Sequence, residues 1–280
     1  MAQPQAEAFR AMTYNVHHCE GLDGKIDYSR LCQVIRSAAP DVVAIQELDS
    51  VTTRTDGTYQ LQRIAAPLRM KYTYARAIPY RGGAYGVGIL SKETPLSVRR
   101  IPLPGNEKRV LLVCEFSSFV FSCTHLDGGQ YCMESLPIIL EEAKRSSKPF
   151  FIAGDFNASP KSAFMQAFMG HFQPLNAGFE KTVNDNNPNS CIDYIAYYRP
   201  FGNVTAGSYE IVDEPIASDH RPVVCNFAVT TSGISPTSAS ASLSESSLSL
   251  YNLLGHRLSS QCGSAFRTYK RSSRAIVALH

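Results

Sequence analysis

Phe150-Phe151-Ile152-Ala153-Gly154-Asp155-Phe156-Asn157 is the stretch whose reading decides the fold. It is a short, unbroken apolar run, entered from Lys148-Pro149 and closed by a glycine, an acid and an amide. A run of this kind reads as a buried strand. Residues i and i+2 of a strand point the same way, so an end that stays extended puts Asp155 and Asn157 on one side and Phe156 on the other. Gly154 admits a close approach of backbone or ligand. An acid and an amide side by side at a strand end can hold a water and a phosphate oxygen together. Asp and Asn are also ordinary turn residues. On this stretch alone the two readings stand level, and the rest of the chain separates them.

Working outward, other apolar runs alternate with helical patterns. Residues 11–16 read as a first strand, ending in the polar loop His17-His18-Cys19-Glu20-Gly21. Asp27 or Ser29 caps a helix to about Ser37, with Leu31, Val34 and Ile35 on one face, and Pro40 stops it. Residues 41–47 form a second strand that ends on Glu47, and 59–68 a second helix. Strands are expected over 72–78, 84–90 and 96–101, with a loop at Arg81-Gly82-Gly83. Residues 110–116 and 119–124 form a hairpin around Ser117-Ser118. A helix over 133–144 must place Pro137 in its first turn or kink there. A helix over 162–169 and strands over 191–198, 204–212 and 222–229 complete the set. Helices alternating with strands early, and paired strands late, indicate an α/β protein with mixed sheets and outer helices.

Composition bounds the rest. A chain of 280 residues with 44% hydrophobic residues can bury a core. It has no apolar run of about 18 residues, the length a membrane span needs. Residues 1–10 are polar and lack the apolar segment of a leader. Eight cysteines occur without a C-x-x-C pair, which excludes a zinc ribbon; Cys114 and Cys123 can face each other in a hairpin, but buried thiols fit better. The net charge is +3, yet Arg257, Arg267, Lys270, Arg271 and Arg274 carry five positive charges beyond the last acid, leaving about −2 for residues 1–250. The body is therefore not a surface that coats nucleic acid. Residues 230–250 are nearly half serine with no aromatic residue and read as a linker; 251–280 are a basic tail.

Several strand ends carry polar groups of complementary kinds: Asn15, Glu47, His125, then Asp155 with Asn157. Asp193 lies inside an apolar run, and Asp219 and His220 stand just before the last strand. Buried acids and histidines are unusual unless paired or metal-bound. Each also has a plainer reading: Glu47 can cap a loop, Asp193 can pair with an arginine, His125 can be a satisfied core histidine. That all of the plainer readings hold together is the weaker account, because α/β folds build their sites at strand ends.

In order along the chain stand Thr13-Tyr14-Asn15-Val16, Gln46-Glu47, Gly86-Val87-Gly88-Ile89-Leu90-Ser91, Thr124-His125-Leu126, Gly154-Asp155-Phe156-Asn157, Ile192-Asp193-Tyr194 and Ser218-Asp219-His220-Arg221-Pro222-Val223. This ordered set resembles the endonuclease/exonuclease/phosphatase superfamily, with its deoxyribonuclease-I-like fold, over residues 8–229. The resemblance implies an α/β four-layer sandwich: two mixed sheets face to face, helices on both outer sides and a site at one edge. It implies a Mg2+- or Mn2+-dependent hydrolase of phosphate esters. Glu47, Asn15 and Asp219 would hold the metal, and Asp155 would activate water with Asn157 fixing it. His220, oriented by Asp193, would touch the phosphate, and His125 would be a second donor to it. The substrate would be a nucleic acid, a nucleotide or a phospholipid headgroup, with no stable protein partner implied.

The sequence departs from the family pattern at two points. His17 stands where some members have an acid two residues after the first-strand Asn, and Tyr85 lies one residue late for a position where some have tyrosine, so it receives no role. The loop Tyr80-Arg81-Gly82-Gly83 either supplies a substrate-contacting arginine or is a plain hairpin. Competing readings are a lipid phosphodiesterase or phosphoinositide phosphatase of the same fold, disfavoured by the polar loops 23–25, 128–130 and 184–189, and a catalytically inactive binding module, disfavoured by the intact acids. The tail segment 250–258 resembles the opening strand of type IX secretion sorting domains, a likeness that ends by Gly263. That likeness favours a secreted or periplasmic enzyme whose leader is absent from this chain; the alternative is a cytoplasmic one with a plain basic tail.

Overall fold

The computed structural model describes residues 5–184 and 190–231. The first part makes β1 (Gln5–Asn15), α1 (Tyr28–Ala38), β2 (Val42–Ser50), α2 (Gln60–Leu68), β3 (Lys71–Tyr80) and β4 (Gly83–Ser91). There follow β5 (Ser97–Leu103), β6 (Arg109–Glu115), β7 (Val120–His125), α3 (Gly129–Arg145) and β8 (Phe150–Asp155). The described chain closes with α4 (Ala163–Met169), β9 (Phe172–Pro174), β10 (Asp193–Tyr198), β11 (Val204–Ile211) and β12 (Val223–Thr231).

These strands form two six-stranded sheets, ordered β11-β12-β1-β2-β4-β3 and β5-β6-β7-β8-β10-β9. Each sheet has one parallel pair, β1 with β2 and β7 with β8, and antiparallel neighbours elsewhere. A parallel pair needs a crossover, and α1 and α3 supply it. The two sheets therefore repeat one plan, a β-α-β unit flanked by antiparallel strands; β1, β7 and β8 end on Asn15, His125 and Asp155, whereas β2, expected to end on Glu47, continues past it to Ser50.

The apolar run of β8 is continuous because both of its faces are covered. Phe151 and Ala153 pack between the sheets with Phe227, Phe121, Ile195 and Val87. Phe150 and Ile152 turn to the outer layer of α3 and α4, with Ile139, Leu136, Phe164 and Phe168. On the other sheet, Met12, Val43 and Ile45 pack against Leu31 and Ile35 of α1 and Leu61 and Ile64 of α2. The four-layer sandwich expected from the sequence is thus present, held by one core between the sheets and one under each helix pair.

Local chemistry sets the boundaries. Asp27, not Ser29, caps α1, its side chain accepting from the amides of Ser29 and Arg30 at 2.9 and 3.0 Å. Ala39 then turns left-handed and Pro40 ends the helix. Pro137 lies well inside α3, beyond the first turn where the sequence reading allowed it. The three-residue β9 carries no period long enough to read from sequence. Arg81 and Gly82 both have positive φ, which makes a two-residue hairpin turn between β3 and β4. Cys114 pairs with Phe121 and Cys123 with Leu112, so the two cysteines are not opposite, and the seven described cysteines are free and buried. Thr230 and Thr231, which composition placed in the linker, extend β12; the rest of the linker and the tail 251–280 lie outside the described residues, as do 185–189 of the last polar loop.

Candidate active site

The ends of the parallel strands meet where the two sheets face each other. Asn15 closes β1 and is fully buried; its side-chain amide donates to Glu47 Oε1 at 3.0 Å and, across to the other sheet, to Asp155 Oδ2 at 3.1 Å. Glu47 reaches Asn15 through a bulge. Ile45 pairs with Gly88 and Leu48 with Gly86, so Gln46 and Glu47 oppose Val87 alone, and Glu47 takes a left-handed φ of 60°. A bulge of this kind re-aims a side chain at some cost in backbone strain.

On the second sheet His125, Asp155 and Asp193 stand side by side in register on β7, β8 and β10. Gly154 makes this possible: a Cβ there would collide with the carbonyl of Thr124 on β7. The close approach expected at Gly154 is therefore one of backbone to backbone. Asn157 does not continue the strand. Its φ is 47°, and its amide donates to Asp155 Oδ1 at 2.8 Å in a tight Asx turn. Phe156 still points into the core under α4. Asn157 then donates its side-chain amide to the Leu126 carbonyl at 2.9 Å and meets His125 Nε2 at 3.0 Å.

His220 is brought in by a short bridge to Val183 and by Ser218, whose hydroxyl donates to the Asn15 carbonyl at 2.8 Å and accepts from the His220 amide at 3.2 Å. Its Nδ1 lies 2.9 Å from Asp193 Oδ2 and its Nε2 3.7 Å from Asp155 Oδ2. Asp193 Oδ2 also accepts from Thr182 Oγ1 at 2.7 Å, while its Oδ1 is buried without a partner. Asp219, half-buried beside His220, accepts from the Ser218 hydroxyl at 3.2 Å.

The electrostatics follow from burial. Asp155 and Asp193 are 2% and 1% exposed. Burial, then the nearby charge of Asp193, raise the pKa of Asp155. Burial alone would lower that of His220, but the charge and hydrogen bond of Asp193, with Asp155 and Asp219 behind, outweigh it and hold the imidazole protonated. His125 goes the other way: burial, then Arg109 and His220, push it well down, so its ring is neutral. Both of its nitrogens meet protein groups, Asn157 at Nε2 and Arg109 at Nδ1, 3.3 Å away.

Asp155, Asp193 and His220 each place one ligand atom within 4.8 Å of the others, a candidate metal site. Glu47 adds a further carboxylate through their shared partner Asn15. A group of acids this dense, with one buried carboxylate oxygen unpaired, has the donor chemistry that a divalent cation needs.

The model of the Endonuclease/Exonuclease/phosphatase family matches residues 12–220. The chain belongs to that family. Solved structures agree on the fold. The endonuclease/exonuclease/phosphatase from Bacteroides vulgatus is 19% identical at a TM-score of 0.67, covering 80% of this chain and 99% of that one. A Bacteroides thetaiotaomicron mannosyl-6-phosphatase is 18% identical at a TM-score of 0.64, covering 78% and 99%. TDP2 of D. rerio, complexed with a single strand DNA product, is 18% identical at a TM-score of 0.62, covering 79% and 98%. Like its family, the chain is a metal-dependent phosphoester hydrolase.

All the sequence-derived site residues lie around this one edge. Three further residues support it. Thr182 binds the Asp193 carboxylate, Ser218 ties His220 to β1, and Arg109 reaches His125 while paired to Glu107 at 2.7 Å and Asp127 at 3.3 Å. Ser218 stood within a motif without a role. Thr182 and Arg109 carry no motif, and only the fold brings them to the site. No helix among the described residues is long and apolar enough to cross a membrane.

Proposed function

We propose that Asp155 takes a proton from the water that attacks a phosphate ester, while His220, positioned by Asp193, donates to the phosphate. The observation that supports this most directly is the placing of Asp155: buried, sharing Asn15 with Glu47, and 3.7 Å from His220 Nε2. A carboxylate whose pKa is raised by burial is a better proton acceptor than a free one. As the water oxygen bonds to phosphorus its proton passes to Asp155, and the P–O bond to the leaving group breaks. His220, protonated with Nδ1 bound to Asp193, presents Nε2–H to an equatorial oxygen and offsets the growing charge. Asn157 holds the water beside Asp155. His125 would reach a phosphate oxygen by exchanging its contact with Asn157 for it.

Glu47 and Asn15, with Asp219, would hold a Mg2+ or Mn2+ ion, since oxygen donors suit hard cations. His220 Nδ1 is already engaged by Asp193, which favours acid–base work for that pair over ligation. A bound cation supplies Lewis-acid stabilisation of the phosphoryl oxygens.

The test is a turnover screen with and without chelator on plasmid DNA, RNA, bis-p-nitrophenyl phosphate, p-nitrophenyl phosphate, sphingomyelin and inositol phosphates. Chelator-sensitive release of product from at least one ester, lost in Asp155→Asn, is expected. Hydrolysis indifferent to both chelator and Asp155→Asn would overturn the reading.

A further inference from the structure

Two histidines bring Nε2 to one carboxylate oxygen: His220 lies 3.7 Å and His125 3.5 Å from Asp155 Oδ2. Their Nδ1 atoms meet opposite chemistry. That of His220 faces an acceptor, Asp193 Oδ2 at 2.9 Å, whereas that of His125 faces a donor, Arg109 Nη1 at 3.3 Å. A guanidinium has N–H groups and no lone pair to offer, so it only donates. Nδ1 of His125 therefore meets it as a bare lone pair, since a proton there would set N–H against N–H. An imidazole with Nδ1 bare carries its one proton on Nε2.

Asn157 opposes that arrangement. Its Nδ2 lies 3.0 Å from His125 Nε2 and 2.9 Å from the Leu126 carbonyl. The carbonyl requires an N–H at that position, so turning the amide over does not relieve the contact. Two donors thus flank a ring that has one lone pair. Arg109 is a cation, and a charge-assisted hydrogen bond is about twice as strong as a neutral one. The contact with Asn157 is the one that gives way, and Nε2–H turns to the Asp155 carboxylate.

Arg109 is itself held in place. Its side chain is 9% exposed; Nη1 pairs with Glu107 Oε1 at 2.7 Å and Nη2 with Asp127 Oδ1 at 3.3 Å. Asp127 in turn accepts from the Asn106 amide at 2.6 Å, and Glu107 stands on the wall of a cavity beside Glu47. Nη1 has two hydrogens, enough for Glu107 and His125 together.

We propose that Arg109 is a positioning residue that confines the proton of the His125 ring to Nε2, the nitrogen facing Asp155, so that His125 serves as a neutral donor and not as a second base. This rests on the reading of His125 as a donor to the phosphate. The proton stays on Nε2 throughout, its hydrogen bond offsetting charge on a phosphate oxygen, and Asp155 remains the one group that takes the proton of the attacking water. Carboxylate on one Nδ1 and guanidinium on the other give the two histidines different forms in the same site: His220 protonated on both nitrogens, His125 on one.

The test reads the His125 ring in the full chain, labelled with nitrogen-15, by long-range proton–nitrogen correlation, which separates a protonated ring nitrogen from a bare one. The His125 signals are those lost in His125→Ala. Nε2–H is expected in the unaltered chain. Arg109→Gln and Arg109→Lys both lose the fork that meets Glu107 and Asp127, but lysine only donates, whereas glutamine can accept. Arg109→Gln should therefore move the proton to Nδ1, with Asn157 donating to Nε2. It should slow bis-p-nitrophenyl phosphate turnover at saturating Mg2+ about two- to twelvefold, the worth of one net hydrogen bond. Arg109→Lys should keep the Nε2–H signature and lose less turnover. Added to His125→Ala, Arg109→Gln should cost nothing further, because it acts through the ring. An unaltered chain protonated at Nδ1, an Arg109→Gln ring that keeps Nε2–H, or an Arg109→Lys ring that changes as the glutamine variant does overturns the inference and leaves the hydrolase reading standing. If a variant does not fold, the signature of the unaltered chain decides. If no ester is turned over, the hydrolase reading fails, and the ring signatures still decide whether Arg109 places the proton.

Discussion

Asp193→Asn is the sharpest perturbation of the site, because it removes one charge and almost no volume. Asp193 Oδ2 lies 2.9 Å from His220 Nδ1 with both groups buried, the geometry of a charge-assisted hydrogen bond. Such a bond contributes about 1.5–3 kcal/mol. At about 1.4 kcal/mol per decade, its loss from the transition state slows turnover roughly ten- to 150-fold. His220→Ala removes the donor itself and should cost on the order of a hundredfold or more. Because Asp193 acts through His220, the losses should not multiply, and the double variant should be little worse than the worse single one. The pH dependence of stability follows the same pair. His220 is raised in the folded protein from 6.5 to about 10, so its pairing stabilises fully below 6.5 and fades as pH climbs to about 10. Asp193→Asn should therefore lower the melting temperature more at pH 6 than at pH 10. The assay is a double-mutant cycle on bis-p-nitrophenyl phosphate turnover at saturating Mg2+, with melting curves at both pH values. Fully multiplicative losses in folded variants, or a melting deficit that grows with pH, would refute the pairing.

Glu47→Gln, which keeps the shape of the side chain but removes its charge, should weaken Mg2+ binding at least about tenfold while leaving the melting temperature of the metal-free protein within a few degrees; titration calorimetry checks it, and unchanged affinity counts against the ligand assignment. Gly154→Ala drives a methyl group against the Thr124 carbonyl and should cost about 1–3 kcal/mol or more in denaturant unfolding; a neutral result would mean β7 and β8 can separate more than their pairing implies. Deleting residues 232–280 should leave a folded, fully active domain, since β12, the neighbour of β1 in the first sheet, ends at Thr231; an insoluble or inactive truncation would place the tail within the core.

The layers of this protein are written in local sequence. The run at Phe150 is apolar without alternation because helices cover one face of β8 and the other sheet covers the second, so its burial could be read from the residues alone. The cap of α1 was local to within two residues, Asp27 or Ser29, and the structure assigns it to Asp27. The candidate residues were visible too, because acids and histidines at the ends of apolar runs are costly unless they work together. Tertiary structure decided what no window of sequence carries. Asn157 sits beside Asp155 through an Asx turn rather than strand alternation, since a left-handed residue breaks the period that places side chains by count. Thr182 reaches Asp193 where Val183 bridges to His220, joining the segment before β10 of one sheet to the segment before β12 of the other. The cavity beside Glu47 joins a strained turn after β1, an arginine after β2, a hairpin between β3 and β4, and an acid before β6. Each of those residues is unremarkable in its own segment. Strand pairing within the first sheet gathers the first three, and the packing of the second sheet against it adds Glu107, because side-chain proximity is set by strand order and register, not by spacing along the chain.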